Sequence, residues 1–183
     1  MVKADIQLDA KGLACPMPIV KTKKSMNDLD EGMVLEVQAT DKGSKADLAA
    51  WADTVGHQYL GTVEEGEVLY HYIRKCSNDT LDEKAFEPII SQDEIQTRDG
   101  LILDVREEAE YAFGHIEGAK SIPMGKLESR LDELNQTQEI YVICRTGKRS
   151  DMAAQLLDKS GFTKVYNVLP GMTEWNGKII KKI

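Results

Sequence analysis

Cysteine is scarce in this sequence, and long apolar runs are absent. Three of its 183 residues are cysteine, an odd and widely spaced set that does not suggest a disulfide framework. No apolar run is long enough to cross a membrane, and residues 1–5 lack the apolar core of a secretory signal. We therefore expect a cytoplasmic protein without membrane contact, whose cysteines are reactive or buried thiols.

The sequence also lacks the pattern of a metal site and the basic charge of a nucleic-acid-binding protein. It contains no Cys-x-x-Cys pair and no histidine pair at ligand spacing, so we expect no metal. The formal net charge is −8, and residues 1–76 and residues 77–183 each carry more acidic than basic side chains. We therefore expect no nucleic-acid partner.

The most informative stretch lies around Cys144. The apolar run 140–143 predicts a buried strand, and Ser150 opens a helical pattern, so Cys144 is expected in a loop between strand end and helix start. Anions bind at such places, and nearby positive charge lowers the pKa of a cysteine. We expect Cys144 to be an exposed thiolate nucleophile. The loop residues expected to bind an anionic substrate are Arg145, Thr146, Gly147, Lys148 and Arg149.

A second candidate thiol is Cys15, followed by Pro16, Met17 and Pro18. Proline is tolerated in the first turn of a helix, and apolar residues then recur at helical spacing to about Asp28. Cys15 is therefore expected at a helix N-terminus, where the helix dipole also favours a thiolate. The third cysteine, Cys76, follows a predicted strand without any motif and is interpreted as a passive thiol.

The fold class indicated by the periodicity is α/β. Residues 6–73 predict the order β-α-β-α-β-β, a small two-layer sandwich with two helices on one face of a four-stranded sheet. Residues 77–88 contain few apolar residues and end in proline, so they predict a linker between domains 1–76 and 89–183.

The second domain alternates strands with helices, which predicts a parallel sheet with helices on both faces. The predicted strands cover residues 101–105, 120–122, 139–143 and 164–168. The predicted helices cover residues 107–113, 126–134 and 150–159, with a last short helix from Met172.

The loop that starts at Cys144 resembles the active-site loop of rhodanese-type sulfurtransferases, whose pattern reads Cys-x-x-Gly-x-Arg-Ser. The resemblance covers roughly residues 88 to 183, with Pro170 in place of one family glycine. The other matching motifs are Leu103-Asp104-Val105-Arg106-Glu107, Gly114-His115-Ile116-Glu117-Gly118-Ala119, Ile122-Pro123, and Leu169-Pro170-Gly171-Met172 with Trp175. The resemblance implies a rhodanese-like fold for this domain and sulfur transfer through Cys144.

The first domain resembles the TusA/SirA family of sulfur-carrier proteins over roughly residues 5 to 75. The shared features are Leu8-Asp9-x-x-Gly12-Leu13-x-Cys15-Pro16-x-Pro18, Asp41, Trp51 and Gly56-His57. The cysteine of that family carries sulfur as a persulfide between partners, and the resemblance implies the same role for Cys15.

Two thiols at helix N-termini, each in a motif that resembles a sulfur-handling family, predict a sulfurtransferase. Such an enzyme needs no cofactor and, with thiols that are already ionised, no general base. Cys144 would take sulfane sulfur from thiosulfate or a low-molecular-weight persulfide. It would then pass the sulfur to Cys15, to another thiol or to a sulfur-carrier protein, in a reaction analogous to thiol–disulfide exchange.

Two other functions compete with sulfur transfer. Cysteine phosphatases use Cys-x5-Arg, whereas four residues separate Cys144 from Arg149 here, which makes a smaller cradle that suits sulfur better than phosphate. A non-enzymatic redox or persulfide-sensing module acting through Cys15 and Cys144 remains an alternative, because low-pKa thiols serve that purpose equally well.

Overall fold

The computed structural model describes residues 2–76 and 86–183. The chain divides into two compact units, Met1–Asn78 and Asp79–Lys182. Residues 77–85 of the predicted linker lie outside the described residues. The end of that predicted linker belongs to the second unit, because Phe86 packs against its core and the Pro88 carbonyl accepts a hydrogen bond from the Asn167 N–H. The second unit therefore begins before residue 89.

The first unit has the predicted order of strands and helices. Its elements are β1 (Ile6–Asp9), α1 (Met17–Asp28), β2 (Val34–Ala39), α2 (Ser44–Thr54), β3 (Gln58–Glu65) and β4 (Val68–Arg74). The sheet order is β1-β2-β4-β3, with β1 parallel to β2 and the other neighbours antiparallel. The prediction of a small α/β unit with a four-stranded sheet is confirmed.

One face of this sheet packs against both helices. Leu35 and Val37 of β2 point to the same face because alternate residues of a strand do so, and Ile73 of β4 lies opposite Leu35. These three side chains form one buried cluster with Met26 of α1 and Leu48 of α2. The cluster supplies the first unit with a core of its own.

A buried hydrogen-bond network anchors the start of α2 to the sheet. The Nε2 atom of His71 lies 2.9 Å from Ser44 Oγ, and its Nδ1 atom lies 2.8 Å from the Tyr59 hydroxyl. The Ser44 hydroxyl also donates to the Asp41 carbonyl at 2.5 Å. Burial, aided by the charge of Lys45, lowers the pKa of His71 to about 4. The imidazole is therefore neutral near neutral pH and serves the network as a structural group.

The second unit contains a five-stranded parallel sheet, as expected for alternating strands and helices. Its strands are β5 (Ile89–Ser91), β6 (Leu101–Asp104), β7 (His115–Ile116), β8 (Lys120–Ser121), β9 (Ile140–Ile143), β10 (Val165–Leu169) and β11 (Ile179–Ile180). Its α-helices are α3 (Gln92–Ile95), α4 (Glu108–Phe113), α5 (Met124–Leu127) and α6 (Lys148–Lys159). The sheet order is β5-β10-β9-β6-β8, while β7 and β11 form a separate antiparallel pair.

Several predicted boundaries in this unit are wrong. The single helix expected over residues 126–134 is instead α5 followed by a 3₁₀ helix, Glu128–Glu133, which is kinked at Arg130, whose dihedral angles are −126° and 19°. The short element expected at Met172 is a 3₁₀ helix, Met172–Glu174. The pattern did not indicate β5, α3, β7 or β11, which are at most four residues long.

The central strand β9 separates two hydrophobic clusters. Ile140 and Val142 point into the cluster covered by α5 and α6, whereas Tyr141 and Ile143 point into the cluster on the opposite face. A strand buried on both faces reads as a continuous apolar run, which is the pattern in the sequence. This packing determines on which face of the sheet the side chain of the next residue, Cys144, lies.

The structure offers no candidate membrane span. Within residues 2–76 and 86–183, none of the helices has both the length and the apolar character that crossing a bilayer requires.

Candidate active site

Cys144 lies directly after β9, at the carboxyl end of the parallel sheet. Its sulfur accepts a hydrogen bond from the Gly147 N–H at 3.1 Å and another from the Ser150 hydroxyl at 3.4 Å. The predicted position between strand and helix is correct, but the expected exposure is wrong, since the residue is only 1% exposed. Cys144 continues the side of β9 that faces α6, so its side chain is buried in the same cluster as Val142.

The loop closes tightly around this sulfur. Gly147 has a φ of +108°, a left-handed conformation that favours glycine, and it caps the N-terminus of α6. The Ser150 hydroxyl, in the first turn of α6, also donates to the Gly147 carbonyl at 2.9 Å. Hydrogen-bond donors and the positive end of the helix dipole therefore meet at Cys144, an arrangement that stabilises negative charge on a bound group.

A second segment, after β10, holds the loop from the other side. The Met172 N–H donates to the Cys144 carbonyl at 2.9 Å, and the Thr173 N–H donates to the Arg145 carbonyl at 3.0 Å. The Thr173 hydroxyl reaches the same Arg145 oxygen at 2.7 Å. Gly171 makes this approach possible, because a Cβ atom there would lie 2.8 Å from the Cys144 carbonyl oxygen.

Arg149 forms a buried ion pair. Its two terminal nitrogens lie 2.6 Å and 2.9 Å from the carboxylate oxygens of Glu110, whose side chain is 0% exposed. A bidentate pair of this kind holds both side chains in a defined geometry. The sequence analysis expected Arg149 to bind the anionic substrate, but its charge is compensated by an acidic residue of α4.

The other predicted loop residues differ in burial. Arg145, Thr146 and Lys148 are half-buried, whereas Gly147 is buried. Helix α6 begins at Lys148, two residues before the predicted start at Ser150. The structure therefore places all five predicted loop residues between β9 and the first turn of α6.

Cys15 lies in a different electrostatic setting. It is exposed and precedes α1, whose first residue is Met17, as predicted. Interaction with the Asp47 carboxylate, and after it the negative charge of Asp41, raises the pKa of Cys15, which is the direction opposite to the one expected.

The sequence analysis assigned no role at these sites to four residues that contribute to them. Ser150 was visible as a serine in the first turn of the helix after Cys144, and Gly171 as a glycine after the last strand. The sequence did not indicate Glu110 or Asp47, because Arg149, which pairs with Glu110, and Cys15, whose pKa Asp47 raises, lie on other elements. Among the residues that the structure describes, no group of three or more His, Cys, Asp or Glu could hold a metal ion.

Comparison with known proteins agrees with this division of the chain. Residues 6–75 match the family described as sulfurtransferase TusA, and residues 88–178 match the rhodanese-like domain. YrkF of Bacillus subtilis (strain 168), provisionally named as a sulfur carrier protein, is 55% identical, and the match covers 97% of this chain and 99% of YrkF.

Two further relatives each correspond to one half of the chain. YrkI of the same organism, also provisionally named as a sulfur carrier, is 58% identical over 74 residues, which are 40% of this chain and 99% of YrkI. The solved rhodanese-like domain protein from Staphylococcus aureus is 31% identical, with a TM-score of 0.48, and the match covers 51% of this chain and 97% of that protein. The chain belongs to the TusA family through its first unit and to the rhodanese-like family through its second, as a fusion of the two.

Proposed function

We propose that this protein is a sulfurtransferase in which Cys144 takes sulfane sulfur from a small anionic donor, thiosulfate or a low-molecular-weight persulfide. The sulfur then passes to Cys15 or to an external thiol, including that of a sulfur-carrier protein. The observation that carries the proposal is the pair of donors, Gly147 N–H and Ser150 hydroxyl, at 3.1 Å and 3.4 Å from the Cys144 sulfur.

The first step is a displacement at sulfur. The Cys144 sulfur attacks the outer sulfur of thiosulfate, the sulfur–sulfur bond of the donor breaks, and sulfite leaves with the electron pair of that bond. Cys144 then holds the transferred atom as a persulfide. The two donors at the loop and the N-terminus of α6 stabilise the negative charge of that species.

We assign different roles to the cations of the loop. Arg145 and Lys148 contact the anionic donor, with Thr146 and the backbone of Gly147 completing its binding site. Arg149 is already bound by Glu110, so it positions the loop between α4 and α6. This assignment changes the role of Arg149 from substrate binding to support of the loop.

The second step transfers the sulfur to an acceptor thiol. Joining two sulfur-handling units in one chain gives Cys15 a high effective concentration near Cys144, which favours it over dilute external thiols. Within the described residues, Cys15, Cys76 and Cys144 form no disulfide. Such a relay would work in a reducing compartment such as the cytoplasm.

Persulfide mapping on the intact chain tests the proposal. The wild type, Cys144→Ser and Cys15→Ser are treated with thiosulfate or glutathione persulfide, and mass spectrometry then locates the added sulfur atom. We expect sulfur on both cysteines in the wild type and on Cys144 alone in Cys15→Ser. In Cys144→Ser, Cys15 should gain sulfur from thiosulfate far more slowly than in the wild type.

A turnover assay separates this function from a non-enzymatic redox module. Sulfurtransfer predicts catalytic formation of thiocyanate from thiosulfate and cyanide, with loss of turnover in Cys144→Ser and its retention in Cys76→Ser. If the wild type forms no thiocyanate and no persulfide with any donor, the proposed activity is refuted and oxidation of the two thiols becomes the better account.

A further inference from the structure

A buried glutamine outside the reactive loop holds the segment that packs against that loop. Gln92 of α3 is only 6% exposed, and its Nε2 atom donates a hydrogen bond to the Gly171 carbonyl at 2.6 Å. Gly171 begins the bracing segment, residues 171–173, whose next two N–H groups donate to the carbonyls of Cys144 and Arg145. A side-chain amide of α3 is therefore connected to the reactive loop through three residues of backbone.

The sheet brings Gln92 and Gly171 to the same edge. Strand β5 pairs in parallel with β10, with Ser91 opposite Leu169, so the residues that follow the two strands lie at neighbouring carboxyl ends. A capping box fixes the start of α3 there. The Ser91 hydroxyl accepts a hydrogen bond from the Glu94 N–H at 3.3 Å, and the Glu94 carboxylate accepts one from the Ser91 N–H at 3.0 Å. The amide of Gln92 is thus held by a rigid element beside the bracing segment.

Thr173 fixes the other end of the bracing segment to the loop. Its hydroxyl donates to the Arg145 carbonyl oxygen at 2.7 Å, and its N–H donates to the same oxygen at 3.0 Å. The Met172 N–H donates to the Cys144 carbonyl at 2.9 Å. Two consecutive carbonyls of the reactive loop therefore point at the bracing segment, which Gln92 holds at its first residue.

The direction of these carbonyls determines the direction of the N–H groups that follow them. The carbonyl and the N–H of a planar trans peptide point to opposite sides. Because the carbonyls of Cys144 and Arg145 face the bracing segment, the N–H groups of Arg145 and Thr146 point away from it. The next N–H, that of Gly147, donates to the Cys144 sulfur at 3.1 Å. Successive N–H groups in such a loop form an anion-binding concavity, so the bracing segment sets its shape.

Building on the proposed function, we propose that Gln92 and Thr173 are positioning residues for the uptake of sulfur by Cys144. They act through the bracing segment, which orients the loop peptides before the donor arrives. N–H groups that are already oriented stabilise the charge that develops on the transferred sulfur without a cost of reorganisation during the reaction. The efficiency of sulfur uptake thus depends on an amide of α3 that lies two backbone hydrogen bonds away from the loop residues.

The test measures how fast Cys144 becomes a persulfide in the full chain carrying Cys15→Ser, which keeps the sulfur on Cys144. Rapid quenching and intact-mass analysis give the maximal rate and the half-saturating thiosulfate concentration. Gln92→Met keeps the size of the side chain but removes its donor. We expect the maximal rate to fall roughly tenfold, less than the hundredfold or more that loss of a loop donor itself costs. The half-saturating concentration should stay within about twofold, because the oriented N–H groups act mainly in the transition state.

Matched variants separate positioning from stability. Gln96→Met makes the same chemical change at the exposed end of α3, where the amide donates to Asn176 Oδ1 at 3.3 Å, and should leave the rate unchanged. Thr173→Val should slow uptake and Thr173→Ser, which keeps the hydroxyl, should not. All rates are expressed per folded molecule, with the folded fraction taken from circular dichroism. Thr173 is exposed, so Thr173→Val decides the question if Gln92→Met does not fold.

Hydrogen exchange of the backbone distinguishes failure of this proposal from failure of the proposed function. The N–H groups of Met172 and Thr173 should exchange faster in Gln92→Met than in Gln96→Met, and this measurement needs no turnover. If the unsubstituted chain forms no persulfide from thiosulfate or glutathione persulfide, the proposed function fails, and exchange alone decides whether Gln92 holds the loop. The proposal is overturned if exchange at these two groups is unchanged. It is also overturned if an active chain keeps its maximal rate per folded molecule in both Gln92→Met and Thr173→Val.

Discussion

At the scale of single residues, Gly171 determines how closely two segments approach around Cys144. Its φ is +96°, in the left-handed region that favours glycine. A Cβ atom there would lie 2.7 Å from the Arg145 carbonyl oxygen and 2.8 Å from that of Cys144. Both carbonyl oxygens accept hydrogen bonds from the two residues that follow Gly171. Neither oxygen can therefore move without disturbing the loop.

We therefore expect Gly171→Ala to lower both stability and sulfur transfer. Backbone strain of this kind costs on the order of 1–3 kcal/mol, and displacement of the loop moves the donors away from the Cys144 sulfur. Gly118→Ala is the matched control, because Gly118 also has a positive φ, +81°, but no atom within 4 Å of an added Cβ. Chemical denaturation and thiocyanate formation measure the two effects. Equal losses in the two variants would contradict the importance of the close approach.

At the scale of elements, the pair of Glu110 and Arg149 joins α4 to α6 beside the reactive loop. The Arg149 side chain is 13% exposed and that of Glu110 is fully buried, so neither charge is well solvated. A buried pair contributes little net stability when intact, but removing one partner leaves the other charge uncompensated. The loop that contains Cys144 begins at β9 and ends at this pair, so its geometry depends on the contact between the two helices.

We expect Glu110→Gln to destabilise the second unit by roughly 3–5 kcal/mol. Glu108→Gln provides the control on the same helix, because Glu108 pairs with Lys126 at the surface, where an ion pair is worth at most about 1 kcal/mol. Urea unfolding of both variants measures the difference. Similar losses in the two variants would show that the buried carboxylate does not support the loop.

The boundaries of elements were predicted less well than their order. The helix expected over residues 126–134 breaks at Arg130, and α6 begins at Lys148 because the left-handed Gly147 can cap it there. Elements as short as β5 and α3 contain too few residues to show a period. Their positions depend on neighbours, as in the pairing of β5 with β10.

At the scale of the whole molecule, the chain has two units with separate cores. Leu48 of α2 is fully buried in the core of the first unit, and Leu157 of α6 is fully buried in a core of the second. These clusters share no residue. A unit with its own hydrophobic core can in principle fold and unfold independently.

We expect Leu48→Ala and Leu157→Ala to lower the stability of different units, each by about 2–5 kcal/mol. Differential scanning calorimetry of the full chain should show two transitions, with each substitution lowering the midpoint of one. Leu48→Ala should leave thiocyanate formation by the second unit intact below that transition. A shift of both midpoints by either substitution would show that the two units unfold together.

The sequence by itself determined the order of elements, the division into two α/β units and the positions of Cys15 and Cys144 next to helix N-termini. Periodicity and short motifs depend on residues that are close together in the sequence, so they can be recognised without the structure. Only the tertiary structure decided that Cys144 is buried, that Arg149 is bound by Glu110, and that carboxylates of another element, Asp47 and Asp41, raise the pKa of Cys15. The charge around each thiol is a sum over residues that folding brings together from separate elements, and this sum cannot be read from the neighbours of either cysteine along the chain.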